Sequence, residues 1–404
     1  MDHLPLEGLK VADFGHYGVG PWICRHLANH GAEVVRVEST TNIDGLRTSP
    51  PYKGSKIGVN RAAYFTEFNT DKYGITLNLR HSLGIKVAKR IMKWADVVVE
   101  NHSPGVMTRL GLGYEDLKEI NPEIIMLSAS AQGQSGPYSS HPSLGTQLSA
   151  LAGFVFLTGW PDRDPVPPFG AYTDAIIPQF GVVAILAALE YKRRTGEGLY
   201  IDISQFETSI QFLAPLMLDF IVNHRIAQRN GNCWPSAAPH GVYRCKGEDR
   251  WCAISVLNEE EWQCFCSAMG NPEWAGSPLF ATLAKRKQNE EELDRLVENW
   301  TIQFTAEQVM CMMQAVGVPA GVVQTCEDLS QDPQLKYRQH FTTLVHPEIG
   351  EQNYDKAAFK LSATPTKIRR PAPCLGEHNE HFYTKVLGIP DDEFIQLLSE
   401  GAFE

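Results

Sequence analysis

Short apolar runs alternate with amphipathic stretches through the first half of this chain, and glycines and prolines mark the joints between them. Residues 9–14 (Leu-Lys-Val-Ala-Asp-Phe) read as a strand. The loop Gly15-His16-Tyr17-Gly18-Val19-Gly20 follows, then a helix opened by Pro21. Proline at the first helical position has a suitable φ and gives up no needed hydrogen bond. Gly31 closes the helix, and Glu33-Val34-Val35-Arg36-Val37 is the next strand. A strand, glycine loop, helix and strand within about 30 residues predict a parallel α/β sheet. Strands at 96–100, 124–130 and 199–204, with helices around 83–95 and 147–154, carry the alternation to about residue 205.

From Gln205 a long helix, to about Ile226, leads away from that sheet. Between roughly 228 and 310 tryptophans, cysteines and charges increase, with a strand near 251–256 and helices near 259–269 and 290–304. This predicts a smaller α+β domain. The last stretch, with Val318-Pro319-Ala320-Gly321-Val322-Val323 and helices near 377–387 and 391–399, is expected to return to the first domain. The fold class is therefore α/β. Residues 1–205 form the first part of a large α/β domain, 206–227 a linker helix, 228–325 a small α+β domain, and 326–404 a return linker and the C-terminal part of the large domain. A length of 404 residues suits two such domains.

Composition narrows the functional classes. Hydrophobic residues at 43% and charged residues at 21% are ordinary globular values. A net charge of -11 argues against nucleic-acid partners and against an anionic membrane. An anionic ligand must then meet local basic groups or helix N-termini. The nine cysteines contain no Cys-x-x-Cys, so neither a metal ribbon nor a disulfide framework is expected, and the thiols suit a reducing cytoplasm. Met1-Asp2-His3-Leu4-Pro5 shows no secretion signal. The apolar run 175–189 is interrupted by Pro178, Gln179 and Gly181, which reads as a core helix and not a bilayer span.

The first unit resembles a dinucleotide-binding βαβ, with Glu38 where a ribose would be held. Its glycines are spaced Gly15-x-x-Gly18-x-Gly20, however, and the fingerprint needs Gly-x-Gly-x-x-Gly. NAD is kept as a minor alternative, and the loop is read as a ligand-facing turn. Asp174, in Phe169-Gly170-Ala171-Tyr172-Thr173-Asp174, stands at a helix start, where aspartate is a common cap.

Separated segments change that reading. Residues 6–14, His16 with Gly20-Pro21, residues 31–38, Phe68-Asn69 with Lys72 and Leu77, and residues 95–101 all contribute. So do Pro104-Gly105, Arg109-Leu110-Gly111, Asn121-Pro122, residues 133–138, the Asp174 segment and Leu375-Gly376-Glu377-His378. The ordered set resembles the class III CoA-transferases (CaiB/BaiF; the formyl-CoA and carnitine CoA-transferase type) over nearly the whole chain. The resemblance implies a Rossmann-like large domain built from both chain ends, a small central domain, and an interlocked dimer. It implies coenzyme A thioesters as substrates, with no tightly bound cofactor and no metal. Asp174 would be the nucleophile, forming first an acyl anhydride and then an aspartyl-CoA thioester, in a site that excludes water. His16, Tyr17 and Gly18 match the loop near the thioester, Leu77 and Arg80 the adenosine side, and Asn101, His102 and Arg109 the phosphate side. Ser39 stands where some relatives place an arginine against the adenine.

The same fold hosts α-methylacyl-CoA racemases, which use a histidine about thirty residues before the aspartate. The corresponding place reads Ser143-Leu144-Gly145, with His141 nearby, so transferase is the preferred reading. A non-catalytic subunit of a heteromeric transferase is a further alternative; the partner expected is a second copy of this chain or a similar subunit. Residues 159–172 resemble the branch of succinyl-CoA:benzylsuccinate CoA-transferases of anaerobic aromatic degradation. On that basis Trp22, Tyr138 and Tyr172 are expected in an acceptor pocket, with Arg47 opposite a second carboxylate.

Overall fold

The computed structural model describes residues 4–404; Met1, Asp2 and His3, part of the segment searched for a secretion signal, lie outside the described residues. Two compact units divide the chain. The first holds the chain up to Val155, Pro167–Ile226 and Lys336–Glu404, and the second holds Phe156–Val166 and Ala227–Leu335.

Six strands organise the first unit: β1 (Lys10–Asp13), β2 (Glu33–Glu38), β3 (Lys72–Thr76), β4 (Val97–Glu100), β5 (Ile125–Ser130) and β6 (Leu199–Ser204). They lie in the order β3-β2-β1-β4-β5-β6, every pairing parallel. A parallel sheet is buried on both faces, which is why its strands read as nearly continuous apolar runs. Ile23 and Leu27 of α1 (Val19–Asn29) and Ile177 and Ile185 of a long helix, Tyr172–Thr195, cover one face. Val87 and Ile91 of the helix Ser82–Trp94, with Phe382, Tyr383 and Phe403 from the C-terminal segment, cover the other. Each such side chain contributes about 1.5–3 kcal/mol by leaving water. Tyr172–Thr195 is long and apolar enough to cross a membrane, but it lies on the sheet with Ile177, Ile185 and Ala188 buried. Gly196, at φ 75°, ends it after Lys192, Arg193 and Arg194, which complement the negative end of the helix dipole.

In this strand order the chain reverses its winding direction between β1 and β4, and ligands of open α/β sheets collect at the carboxyl ends of the strands at that reversal. The loops after β1 and β4 meet there.

Several elements differ from the sequence expectation. β3 was not anticipated, because Lys72 and Gly74 interrupt its apolar run. Lys72 is buried in an ion pair, and a β-carbon on Gly74 would stand 2.7 Å from Pro373. The helix expected at 147–154 is two short ones, Gly145–Leu151 and Phe154–Leu157, separated by Gly153 at φ 92°. The helix expected from Gln205 to Ile226 is segmented into Gln205–Ile210, a 3₁₀ turn and Ala214–Asn223. Pro215, in the first turn of the last segment, lacks the N–H that would continue the ladder. Phe341–His346 and Gly350–Asp355 form an antiparallel hairpin where a return linker was expected.

The second unit has a three-stranded antiparallel sheet of His240–Arg244, Trp251–Ser255 and Ala320–Val322. The last of these strands was read with the stretch that returns to the first domain, although the domain bounds expected from the sequence placed it within 228–325. It stays because Ala320–Val322 pairs with Trp251–Ser255 and Val318 is buried in this unit's own core. The helix Ala306–Ala315, also unanticipated, begins with a capping box between Thr305 and Gln308.

Candidate active site

The loop after β1 is folded tightly on itself. A β-carbon on Gly15 would lie 3.0 Å from the Gly20 Cα and 2.9 Å from Pro21 Cδ, so both glycines are required by close backbone approach. Beneath the loop is a buried charge cluster. Asp13 accepts from the Gly15 N–H at 3.0 Å, from Arg36 at 3.1 Å and from Lys72 at 2.8 Å. Lys72 also donates to the Pro21 carbonyl at 2.7 Å and to Asn69 at 2.9 Å. Arg36 further donates to the Gly15 carbonyl and pairs with Asp44. Burial pushes the Asp13 carboxyl up, but Lys72 and Arg36 outweigh it and hold it below its ordinary range. At Asp44 burial prevails over Arg36, and the pKa is raised. Removing one partner from such a cluster is costly, since a buried charge is then left uncompensated.

Asn101, just past β4, clamps the loop from the other side. Its Oδ1 accepts the His16 N–H at 2.6 Å, and its Nδ2 donates to the His16 carbonyl at 2.8 Å. The His16 and His102 rings lie 5.1 Å apart. Burial lowers both to a pKa of about 4, so both imidazoles are neutral at pH 7.

Asp174 lies in the first turn of Tyr172–Thr195 and is not its cap; that position belongs to Ala171. Among the described residues nothing hydrogen-bonds to or ion-pairs with its carboxylate, and burial alone raises its pKa to about 6. Bare backbone flanks it on two sides. A β-carbon on Gly145 would come 2.7 Å from Asp174 Oδ1, and one on Gly18 would come 3.8 Å from Oδ2. The Asp174 charge also raises the pKa of Tyr64, after burial the second cause of that shift. An unpartnered, partly desolvated carboxylate beside open backbone is suited to attack on an electrophilic carbon.

The profile of CoA-transferase family III matches residues 6–379. The chain belongs to this family. It is 33% identical over 395 residues to succinyl-CoA–D-citramalate CoA-transferase of Chloroflexus aurantiacus, covering 97% of this chain and 96% of that one. It is 30% identical over 403 residues to the beta subunit of succinyl-CoA–L-malate CoA-transferase from the same organism, with 98% of each chain covered. Among solved structures it superimposes on a CaiB/BaiF family protein from Brucella suis with a TM-score of 0.87 and 30% identity, covering 95% of this chain and 100% of that one. The protein is thus a CoA-transferase, and CoA thioesters are its substrates.

The structure of this CoA-transferase brings His16, Tyr17, Gly18, Asn101, His102 and Asp174 to one loop cluster at the strand reversal. Arg80 and Arg109 follow the carboxyl ends of β3 and β4, and both are exposed. The Leu77 side chain lies inside the sheet core. Trp22 stacks on Phe68 with centroids 4.8 Å apart. Tyr172 meets Phe154 edge-on at 5.5 Å, and Tyr138 packs against His141 at 5.1 Å. Arg47 does not serve as expected. It is fully buried, and its donors are engaged by both Glu38 oxygens, the Val59 and Pro373 carbonyls and Asn60, leaving none for a substrate carboxylate. Glu38 is buried in the same pair and does not face a ribose, so with the glycine spacing against it as well the NAD alternative falls.

Sequence reasoning missed Arg36, Asp44, Tyr64 and Gly145. Arg36 carried a usable signal, a lone charge inside a valine-rich strand. The second unit also has a cavity of about 550 Å³, lined by Trp234, His240, Ser255 and Gly321 among others. None of the residues lining it is a carboxylate.

Proposed function

We propose that this enzyme moves CoA from succinyl-CoA to a dicarboxylic acid through covalent intermediates on Asp174. The observation that carries the reading is the Asp174 carboxylate itself, unpartnered and raised by burial to about 6, held between the Gly18 and Gly145 backbones. At pH 7 such a group is about nine-tenths ionised, and its raised basicity makes it a better nucleophile than an ordinary surface aspartate.

Asp174 attacks the thioester carbonyl, the C–S bond breaks, and CoA thiolate departs, leaving a mixed anhydride between the Asp174 carboxyl and the succinyl group. The thiolate attacks the aspartyl carbonyl and releases succinate, giving an aspartyl-CoA thioester. The acceptor carboxylate displaces the thiolate from that thioester, and the thiolate then takes the acceptor's acyl group and frees Asp174. The bare glycines leave room for these tetrahedral carbons, and backbone N–H groups at the start of Tyr172–Thr195 favour the oxyanions. Arg80 and Arg109 meet the phosphates of CoA.

The names of the two similar transferases support the donor and a dicarboxylic acceptor. Benzylsuccinate belongs to the same chemical class and remains the specific acceptor expected from residues 159–172, with Tyr138 and Tyr172 beside it. The working assembly is an interlocked dimer of this chain or of this chain with a similar subunit, in the cytoplasm. Leu218, Phe220, Ile221 and Val222 of Ala214–Asn223, each more than half exposed, support a partner there. The racemase alternative finds a glycine backbone at Gly145 where it needs an imidazole.

Intact-protein mass spectrometry after incubation with succinyl-CoA tests the proposal. A hydroxylamine-labile adduct is expected on wild type and absent from Asp174→Ala. An adduct of equal yield on the variant would remove Asp174 from the mechanism.

A further inference from the structure

Tyr17 has φ 56°, in the left-handed region that residues with a β-carbon rarely adopt. Such a conformation persists only where its surroundings hold it. Two consecutive residues outside the predicted site do so. Asp44 Oδ2 accepts the Tyr17 N–H at 3.1 Å. That oxygen is paired with Arg36, and Asp44 Oδ1 accepts from the Leu46 N–H at 2.8 Å, so the acceptor itself cannot shift. The second residue is Gly45. A β-carbon there would run into the Tyr17 ring at Cε1, Cζ and the hydroxyl.

Gly45 opens the 3₁₀ turn Gly45–Thr48 and does not have a positive φ. Its backbone therefore does not call for glycine; the aromatic ring lying on it does. The residue after Tyr17 is Gly18, on which a β-carbon would stand 3.8 Å from Asp174 Oδ2. Displacing the Tyr17 ring, by turning its side chain or by twisting the left-handed turn that delivers Gly18, changes the face of the loop beside Asp174. Tyr17 is half exposed, so the ring has room to move and the fold can survive its displacement.

We infer that Gly45 is a positioning residue for the transfer reaction, acting through the Tyr17 ring on the approach of the loop to Asp174. This rests on the reading of Asp174 as nucleophile. Gly45 touches neither substrate nor Asp174 in this scheme.

The test is a double-mutant cycle in the full chain, assembled with its partner where it has one: wild type, Gly45→Ala, Tyr17→Ala, and both together. The readouts are the rate of adduct formation from succinyl-CoA and the thermal midpoint. Gly45→Ala should slow adduct formation roughly 10- to 100-fold, the scale of a misplacement of about an ångström, with little change in midpoint. In the Tyr17→Ala background the same substitution should have no further effect, because the ring it displaces is gone. Adduct formation at the wild-type rate in Gly45→Ala, or a loss of equal size in both backgrounds, would overturn the positioning role while leaving Asp174 in place. An absence of any Asp174 adduct on wild type would overturn both.

Discussion

Replacing Asp174 by asparagine should abolish transfer and stabilise the protein. The carboxyl is raised from 3.8 to about 6 by burial, and no partner offsets that cost. A group whose pKa is higher in the folded state than in the unfolded chain binds its proton more tightly when folded. The stability this confers is complete below about pH 3.8 and is lost as pH rises through about 6. Each pKa unit corresponds to about 1.4 kcal/mol, so the ionised aspartate costs the fold up to about 3 kcal/mol above pH 6. Asparagine has nearly the same shape and remains neutral throughout. Relative to wild type it should therefore gain about 1–3 kcal/mol at pH 7.5, and the gain should shrink toward zero near pH 4. Urea unfolding of ligand-free wild type and Asp174→Asn at both pH values gives the difference directly. A variant no more stable than wild type at pH 7.5, or a gain that does not depend on pH, would show that the Asp174 carboxylate is not held at a desolvation cost. A reactive group kept at the expense of stability is a common trade-off in enzymes.

Two other substitutions probe the frame and the ligand side. Lys72→Met removes the ammonium that Asp13 Oδ2, the Pro21 carbonyl and Asn69 Oδ1 share. It should destabilise the first unit by about 3–5 kcal/mol in urea unfolding, and a loss below about 1 kcal/mol would mean that the cluster relaxes or hydrates. Arg109→Ala removes an exposed cation, so stability should stay within about 0.5 kcal/mol of wild type. CoA affinity measured by calorimetry should fall about tenfold at low salt and less at high salt, and an unchanged affinity would remove Arg109 from phosphate binding.

The parallel architecture was legible because its signals are local. Residues 9–37 carry a strand, a tight glycine loop, a helix and a second strand in sequence, and β1, α1 and β2 follow that order, with α1 beginning at Val19, two residues before the Pro21 expected to open it. Asp174 was legible only through the resemblance: at the start of an apolar helix it read locally as a cap, and the ordered family segments are what made it the expected nucleophile. What the pattern concealed are pairings between residues distant in the chain. Lys72 in a strand looks like an interruption until Asp13, 59 positions earlier, is seen to receive it. Arg47 looked like a free cation near a ligand loop because nothing local shows that Glu38 lies against it or that the Pro373 carbonyl, 326 positions away, completes its shell. Asp44 and Gly45 read as an ordinary turn, since the ring that makes Gly45 necessary belongs to Tyr17. The buried charges share a reason for this silence. A charge inside a sheet is tolerated only where the fold supplies its partner, so its presence in an apolar run points to a pairing without naming the residue. Arg36 and Lys72 point in this way, and both lead to the loop after β1 and the residues beside it. The part that the sequence hid is thus the part that holds the loop in place, while the glycines and His16 of the loop itself were visible in it.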